Sequence, residues 1–276
     1  MVKVRKFLRN GEKFQKLKAQ KRPGRYNIYL DGKYAFAVAE SVLIKYRLMK
    51  GMELDQAQLA QISNDDEIAK TYNKMLDYLA HQLRTEHDVY EKMRQLKTPA
   101  EDIEPVMQKL RGLHLLDDHE YAASYVRTVM NTELKGPQVI RQKLRQKQIG
   151  ELDIDSALAQ FTPERQLANA TKLAKKLFKR YNKLPARRQA EKVRQGLVTN
   201  GYAADLFNEI KDTVTPQPDL EQEDELLAKE AAKAWRRYEK RAPTDYERRL
   251  KVKQALYRKG FDLDEVEHWL NEHENS

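Results

Sequence analysis

The side chains that most often carry out acid–base or metal chemistry form no recognisable site in this sequence. The six histidines include no His-Glu-x-x-His pair, and there is no glycine-rich phosphate loop or Gly-x-Ser-x-Gly turn. The chain has no cysteine, which excludes disulfides, thiolate metal ligands and cysteine nucleophiles. The acidic cluster at 117–120 contains His119, but it directly precedes a helical pattern, so we interpret it as the cap and acidic first turn of a helix. We therefore expect neither enzymatic activity nor a bound metal or cofactor.

A run of cations between residues 172 and 183 is the strongest indication of a binding surface. At ~100° per residue on a helix, these six cations fall within about 140° of arc, with apolar side chains opposite and no acidic residue among them. A face of a single sign favours a polyanion or an acidic protein surface over simple solvation. The sequence leaves the choice between those two partners open. This cationic face consists of Lys172, Lys175, Lys176, Lys179, Arg180 and Lys183.

The N-terminal segment holds most of the net positive charge. Residues 1–50 contain 14 basic residues against three acidic ones, a net charge of +11, whereas the remaining chain has 38 basic and 39 acidic residues. Charge concentrated in this way makes the segment a second candidate for polyanion binding, although a basic arm that only aids solubility would look the same. The candidates in this segment are Lys16, Lys18, Lys21, Arg22 and Arg25.

The same segment predicts a small β-rich domain. Residues 25–30 and 33–38 are rich in aromatic and β-branched side chains and flank Asp31-Gly32, a dipeptide that favours a tight hairpin turn. Because an isolated hairpin is only marginally stable in water, a third strand is needed, and the alternating residues 13–19 can supply it. We predict an N-terminal basic, β-rich domain over residues 1–54.

From about residue 65 onward the sequence is helical and repetitive. We take Lys97, Gln148, Gly201 and Gly260 as anchors. The positions 8 and 4 residues before each anchor, and 6 and 9 residues after it, are apolar in all sixteen cases. The anchors are 51, 53 and 59 residues apart, a period typical of stacked supersecondary units. This spacing indicates that one helix ends at each anchor, that a second follows it and that a third precedes both.

We therefore predict a mainly α-helical fold of four tandem three-helix repeats. They would form an elongated, curved array beside the small N-terminal domain with its β-hairpin. This division suits a chain of 276 residues that is 34% charged and has a mean hydropathy of -0.86, because several small cores need less apolar material than one thick core. The repeats are predicted at 55–117, 118–162, 163–214 and 226–276, with an acidic, proline-containing linker at 215–225.

The sequence predicts neither export nor membrane insertion. No apolar run approaches the roughly 18 residues that a membrane span needs. The basic N-terminus is not followed by the apolar segment of a signal peptide, and the lack of cysteine fits a reducing compartment. We expect a cytoplasmic protein without a membrane partner.

Two stretches resemble the RecX family of regulatory proteins. They are Leu-His-Leu-Leu-Asp-Asp-His-Glu-Tyr-Ala-Ala-Ser-Tyr-Val-Arg at 113–127 and Leu-Lys-Gly-Pro-Gln-Val-Ile-Arg-Gln-Lys-Leu-Arg-Gln-Lys at 134–147. The hairpin sequence is also similar to that of the longer family members. This chain departs from the family pattern at Lys97 and Gln148, where glycine is common, and at Lys143, where an acidic residue is common.

The resemblance implies a non-enzymatic negative regulator that binds filaments of the RecA recombinase on DNA and needs no cofactor. Such a protein opposes filament growth, ATP hydrolysis, strand exchange and coprotease activity in recombinational repair and the SOS response. We expect the RecA filament as the main partner, weak binding to single- or double-stranded DNA, and a monomer. The candidate contacts are Arg127, Lys135, Arg141, Arg145, Lys175, Lys176, Lys179, Arg180, Arg187 and Arg188.

Two other classes of function are compatible with a helical repeat protein. A general nucleic-acid-binding protein with helix-turn-helix-like units would need base-reading side chains beside its cations and would typically protect a specific DNA sequence. A peptide-binding scaffold of the tetratricopeptide kind would show a two-helix period near 34 residues rather than about 50, so the spacing argues against it.

Overall fold

The computed structural model describes residues 12–21, 23–217, 219–242 and 244–274, and these contain four strands and thirteen helices. The strands are β1 Glu12–Ala19, β2 Arg25–Leu30, β3 Lys33–Ala39 and β4 Glu53–Leu54. The first seven helices are α1 Glu40–Lys45, α2 Gln56–Leu79, α3 Glu86–Gln95, α4 Ala100–Gly112, α5 Asp118–Thr132, α6 Pro137–Gln146 and α7 Glu151–Leu158. The remaining six are α8 Pro163–Tyr181, α9 Ala186–Thr199, α10 Leu206–Val214, α11 Leu220–Glu239, α12 Asp245–Lys259 and α13 Leu263–Glu274.

The N-terminal strands form one antiparallel sheet in the order β3-β2-β1-β4. β2 and β3 are the predicted hairpin. Asp31 and Gly32 in its turn have φ angles of 45° and 76°, the positive values that a tight two-residue turn requires. β1 is the predicted third strand. β4 is absent from the sequence-based prediction because a strand of two residues shows no alternation.

The sheet packs against the first half of α2. This helix begins at Gln56 rather than near residue 65, since Asp55 and Gln58 form a capping box at its start. Leu59 and Ile62 on α2 join the buried side chains of the sheet in one apolar core. The second half of α2 contributes Met75 to a separate core with α3 and α4. One long helix thus contributes side chains to the core of the β-domain and to the core of the first repeat.

The four anchors share one backbone conformation, which confirms that the repeats are equivalent. In three of the four, the N–H after the anchor donates to the carbonyl oxygen four residues before it, at 3.1–3.2 Å, and so closes the end of the middle helix. Of the sixteen apolar positions that define the repeat, fifteen are buried and Trp269 is half-buried. The φ angles of the anchors are 56° at Lys97, 58° at Gln148, 91° at Gly201 and 98° at Gly260.

The fourth repeat begins inside the segment predicted as a linker at 215–225. α11 starts at Leu220, and the side chain of Asp219 caps it by accepting from the N–H of Gln222 at 3.1 Å. Glu221 and Glu223 lie in the first turn, where negative charge is favourable beside the exposed N–H groups of the helix. The acidic residues that suggested a linker therefore belong to a helix start.

The described chain divides into two compact units. The first contains the residues up to Tyr121 together with Lys147–Ile149, and the second contains Ala122–Gln146 and the residues from Gly150 onward. The first unit holds the sheet, α1–α4 and the first turn of α5, and the second holds the rest of α5 and the other helices. In the ranges that the structure describes, no helix combines the length and apolar character of a membrane span.

Leu144→Ala should lower the free energy of unfolding of the second unit by about 2–5 kcal/mol, because it leaves a cavity in a packed core. Leu144 lies four residues before its anchor and is 1% exposed. Urea unfolding followed by circular dichroism measures the change. Leu152→Ala on α7 is the matched control, since Leu152 is 86% exposed and should change stability by no more than about 0.5 kcal/mol. Similar losses in both variants would contradict the repeat assignment.

Candidate functional site

The cationic face lies on α8, the first helix of the third repeat. The helix forms because Thr162 caps it, accepting from the N–H of Arg165 at 3.4 Å, and because Pro163 suits the first helical position. Leu173, Ala174, Leu177 and Phe178 are buried. All six cations of the face are exposed on the other side, with Lys183 just beyond the last helical residue. The predicted separation of apolar and cationic sides is therefore confirmed.

The cationic face has no internal counter-charge in the part of the chain that the structure describes. None of its six side chains forms an ion pair or hydrogen bond with another described residue. The single acidic residue of α8 is Glu164, in the first turn. The face therefore presents its full positive charge to solvent, which is the arrangement that attracts an anionic partner.

Arg141 and Arg145, by contrast, are neutralised by acidic residues of α7. Arg141 donates to Glu151 at 2.9 Å and to Asp155 at 2.5 Å, and Arg145 donates to Glu151 at 2.5 Å. The hydrogen bonds from Arg145 and Arg141 lower the pKa of the Glu151 carboxyl, so this carboxylate stays ionised. Both arginines hold α6 to α7. Because acidic residues already neutralise them, they attract an external anion less strongly than the cationic face does.

Arg187 and Arg188 at the start of α9 also have partners within the second unit. Arg188 pairs with Glu191 at 2.6 Å. The guanidinium of Arg187 lies 4.6 Å from the ring centre of Tyr257 on α12, a cation–π contact. Arg188 also contacts the end of α12, since a Cβ on Gly260 would lie 2.9 Å from its Cβ. These two arginines join the third repeat to the fourth.

Lys135 makes a polar contact between the second and third repeats, and Arg127 makes one within the second repeat. Lys135 donates to the side-chain oxygen of Asn200 at 2.9 Å, beside a backbone contact in which the N–H of Gly136 donates to the Asn200 carbonyl at 2.7 Å. Arg127 donates to the side-chain oxygen of Gln160 at 3.3 Å. Lys135 thus belongs to the joint between the second and third repeats.

The N-terminal candidates separate into surface and core residues. Lys16, Lys18 and Lys21 are exposed, and Lys16 lies 6.0 Å from the ring centre of Tyr29. Arg22 lies outside the described residues. Arg25 points inward and pairs with Asp66 at 3.0 Å, with only 19% of its side chain exposed. We take Arg25 to be structural and leave it out of the proposed binding surface.

Asp66 is the important polar residue that the sequence reasoning missed. It is 3% exposed and accepts from Arg25 and from the N–H of Ala39, at 3.0 and 2.7 Å, while Lys70 pairs with it at 2.9 Å. Within an acidic run it resembles an ordinary surface residue. A signal was present, however, because Asp66 lies four residues after the buried Ile62 and so shares the apolar side of α2.

The acidic cluster at 117–120 caps the start of α5, as predicted, and it also contacts the start of α3. Asp117 accepts from the N–H of Glu120 at 2.8 Å at the start of α5, and Asp118 accepts from the N–H of Glu86 at 2.9 Å at the start of α3. Among the residues that the structure describes, no group of three or more histidine, aspartate or glutamate side chains is placed to hold a metal ion.

Four family models match the chain in the order of its domains. They are described as the Regulatory protein RecX N-terminal domain at residues 13–55 and the first, second and third three-helix domains of RecX at 72–110, 117–158 and 221–270. These matches correspond to the sheet and to the first, second and fourth repeats. The third repeat, which contains α8, lies between the last two matches.

Several curated proteins named Regulatory protein RecX are similar along nearly their whole length. One from Limosilactobacillus reuteri (strain DSM 20016) is 62% identical over 94% of this chain and 97% of its own. One from Levilactobacillus brevis is 52% identical over 92% and 95%, and one from Bacillus subtilis (strain 168) is 37% identical over 92% and 96%.

Two crystal structures of RecX proteins also match. One, described as regulatory protein RecX, is 61% identical with a TM-score of 0.69, and the match covers 73% of this chain and 99% of that chain. The other, from Lactobacillus salivarius, is 39% identical with a TM-score of 0.51, and the match covers 54% of this chain and 97% of that chain. The chain therefore belongs to the RecX family of regulatory proteins.

Proposed function

We propose that this protein is a non-enzymatic negative regulator of the RecA recombinase. In this proposal it binds RecA–DNA filaments and opposes filament growth, ATP hydrolysis, strand exchange and coprotease activity in recombinational repair and the SOS response. It acts as a cytoplasmic monomer, without a cofactor, and binds single- or double-stranded DNA weakly by itself. The similarity to proteins named Regulatory protein RecX over more than nine-tenths of the chain carries the proposal.

The geometry suits a nucleoprotein partner. A RecA filament on DNA presents a continuous line of phosphates together with protein surface, and this chain offers exposed cations in both of its units. The cationic face on α8 and the exposed Lys16, Lys18 and Lys21 on or beside β1 are the surfaces that we assign to the filament. The arginines of α6 and α9 are secondary candidates, because each of them already has an acidic neighbour. Arg187 also stacks on Tyr257.

Purified protein added to RecA on single-stranded DNA should suppress ATP hydrolysis almost completely at saturating excess, while showing no ATPase activity of its own. A coupled assay of ADP release measures both. An unrelated basic protein of similar net charge is the control for simple competition for DNA. Full RecA activity at saturation, together with binding to bare DNA, would instead favour the general nucleic-acid-binding function with helix-turn-helix-like units.

A further inference from the structure

The cationic face carries positive charge at the linear density of a nucleic-acid strand. Five of its cations lie on α8 between Lys172 and Arg180, a distance of about 12 Å at ~1.5 Å per residue. The helix therefore presents one positive charge for each ~3 Å of its length. One strand of DNA carries one phosphate for each ~3.4 Å of helix axis. The two spacings agree closely enough for several contacts to form together.

We propose that the cationic face of α8 binds the phosphate backbone of a DNA strand. This inference deepens the proposed function and rests on it only in assuming that the protein meets DNA; it does not require that RecA be inhibited. The face belongs to the third repeat, which lies outside the four family matches, so the assignment comes from the side chains of this chain.

Helix stability alone does not account for these cations. Cations in the last turn of a helix are favourable beside its free carbonyl groups, which explains Lys179 and Arg180. The effect falls off within one turn, so it does not reach Lys172, Lys175 and Lys176. An exposed face whose only purpose is solubility would combine charges of both signs. The unbroken positive line is better explained by an external anion.

The composition of the face favours contact with phosphate over reading of bases. Five of its six cations are lysines, which act as point charges toward phosphate, whereas specific base recognition most often uses the two-pronged hydrogen bonds of arginine, asparagine or glutamine. The buried side of the helix, with Leu173 and Phe178 among others, holds the face in place. We therefore expect binding that depends strongly on salt and little on DNA sequence.

The test is the fourfold variant Lys175→Gln, Lys176→Gln, Lys179→Gln and Arg180→Gln in the full chain. Its affinity for a fluorescently labelled single-stranded oligothymidylate is measured by anisotropy over a salt series. Each lost phosphate contact should flatten the log–log salt dependence by about 0.7, or about 2.8 for four contacts. Between about 50 and 200 mM salt, the wild-type affinity should consequently fall about 50-fold more than that of the variant.

The matched control removes the same charge from scattered exposed positions in the second unit: Lys211→Gln, Lys229→Gln, Lys233→Gln and Lys240→Gln. The log–log slope of its affinity against salt concentration should differ from the wild-type slope by no more than about 0.7, the value for one phosphate contact. Both variants should melt at the wild-type temperature, because exposed charges contribute little to folding. If the two variants bind the oligonucleotide equally well at every salt concentration, the proposal is wrong.

A second measurement separates DNA from an acidic protein surface. Binding of each variant to RecA in the absence of DNA should equal that of the wild-type protein. A fourfold α8 variant that loses affinity for DNA-free RecA, yet binds the oligonucleotide normally, would overturn the proposal. RecA inhibition is scored separately: a wild-type protein that shows the steep salt dependence but leaves RecA fully active refutes the proposed function and leaves this inference standing.

Discussion

Asp66→Ala should lower the free energy of unfolding of the first unit by about 3–5 kcal/mol, because it leaves a buried guanidinium without its counter-charge. The Asp66 carboxylate binds Arg25 at 3.0 Å, the N–H of Ala39 at 2.7 Å and Lys70 at 2.9 Å. Since Asp66 is 3% exposed, little water can reach the groups that lose their acceptor. The N–H of Ala39, in particular, would be left without a hydrogen bond inside the core.

Urea unfolding followed by circular dichroism measures this loss, and hydrogen exchange at the amides of β2 and β3 assigns it to the sheet. Both tryptophans lie in the fourth repeat, so tryptophan fluorescence reports on the second unit. The unfolding midpoint measured by this fluorescence should equal that of the wild-type protein. Glu67→Ala is the control. The Glu67 side chain is 37% exposed and pairs with Lys70, so its removal should cost no more than about 1 kcal/mol. If Asp66→Ala lowers the free energy of unfolding by no more than the ~1 kcal/mol expected for Glu67→Ala, the buried ion pair is unimportant for stability.

Gly201→Ala should destabilise the second unit by about 2–6 kcal/mol. About 1–3 kcal/mol comes from placing a side chain at a φ of 91°, and a similar amount comes from steric overlap. The new Cβ would lie 2.5 Å from the backbone nitrogen of Val139. That approach exists because the Gly201 carbonyl accepts from the N–H of Gln138 at 3.1 Å, where the second and third repeats meet.

Gln148→Gly tests the same left-handed backbone conformation, but here the substitution should raise stability rather than lower it. Gln148 has a φ of 58° and an exposed side chain, so glycine removes backbone strain without removing buried contacts. Stability should rise by up to about 1 kcal/mol. Urea unfolding of both variants gives the comparison. If Gly201→Ala is as stable as the wild-type protein, the close contact between these backbones does not hold the repeats together.

Features carried by neighbouring residues could be predicted from this sequence. The hairpin follows from Asp31-Gly32, and the cationic face follows from residues within three turns of one helix. The repeat was visible because burial imposes the same apolar spacing four times. The left-handed conformation of Lys97 and Gln148 was harder to predict, since lysine and glutamine carry no local signal for it.

Features that depend on tertiary contacts could not be predicted. The partners of Arg141 lie 10 and 14 residues away on another helix, and nothing in the local pattern indicates that they meet. Arg25 and Asp66 are 41 residues apart and belong to different kinds of secondary structure. Cations that looked equivalent in the sequence therefore differ in the fold: some hold helices together, and those of α8 face solvent.

The tie between Arg25 and Asp66 affects how the protein can fold during its synthesis. β1, β2 and β3 leave the ribosome before α2. The guanidinium of Arg25 and the amide of Ala39 therefore lack their acceptor until Asp66 has been synthesised. The β-domain predicted to end at residue 54 cannot complete its own core, because Leu59 and Ile62 also come from α2. The sheet can therefore reach its native state only after the first three turns of this helix have been synthesised.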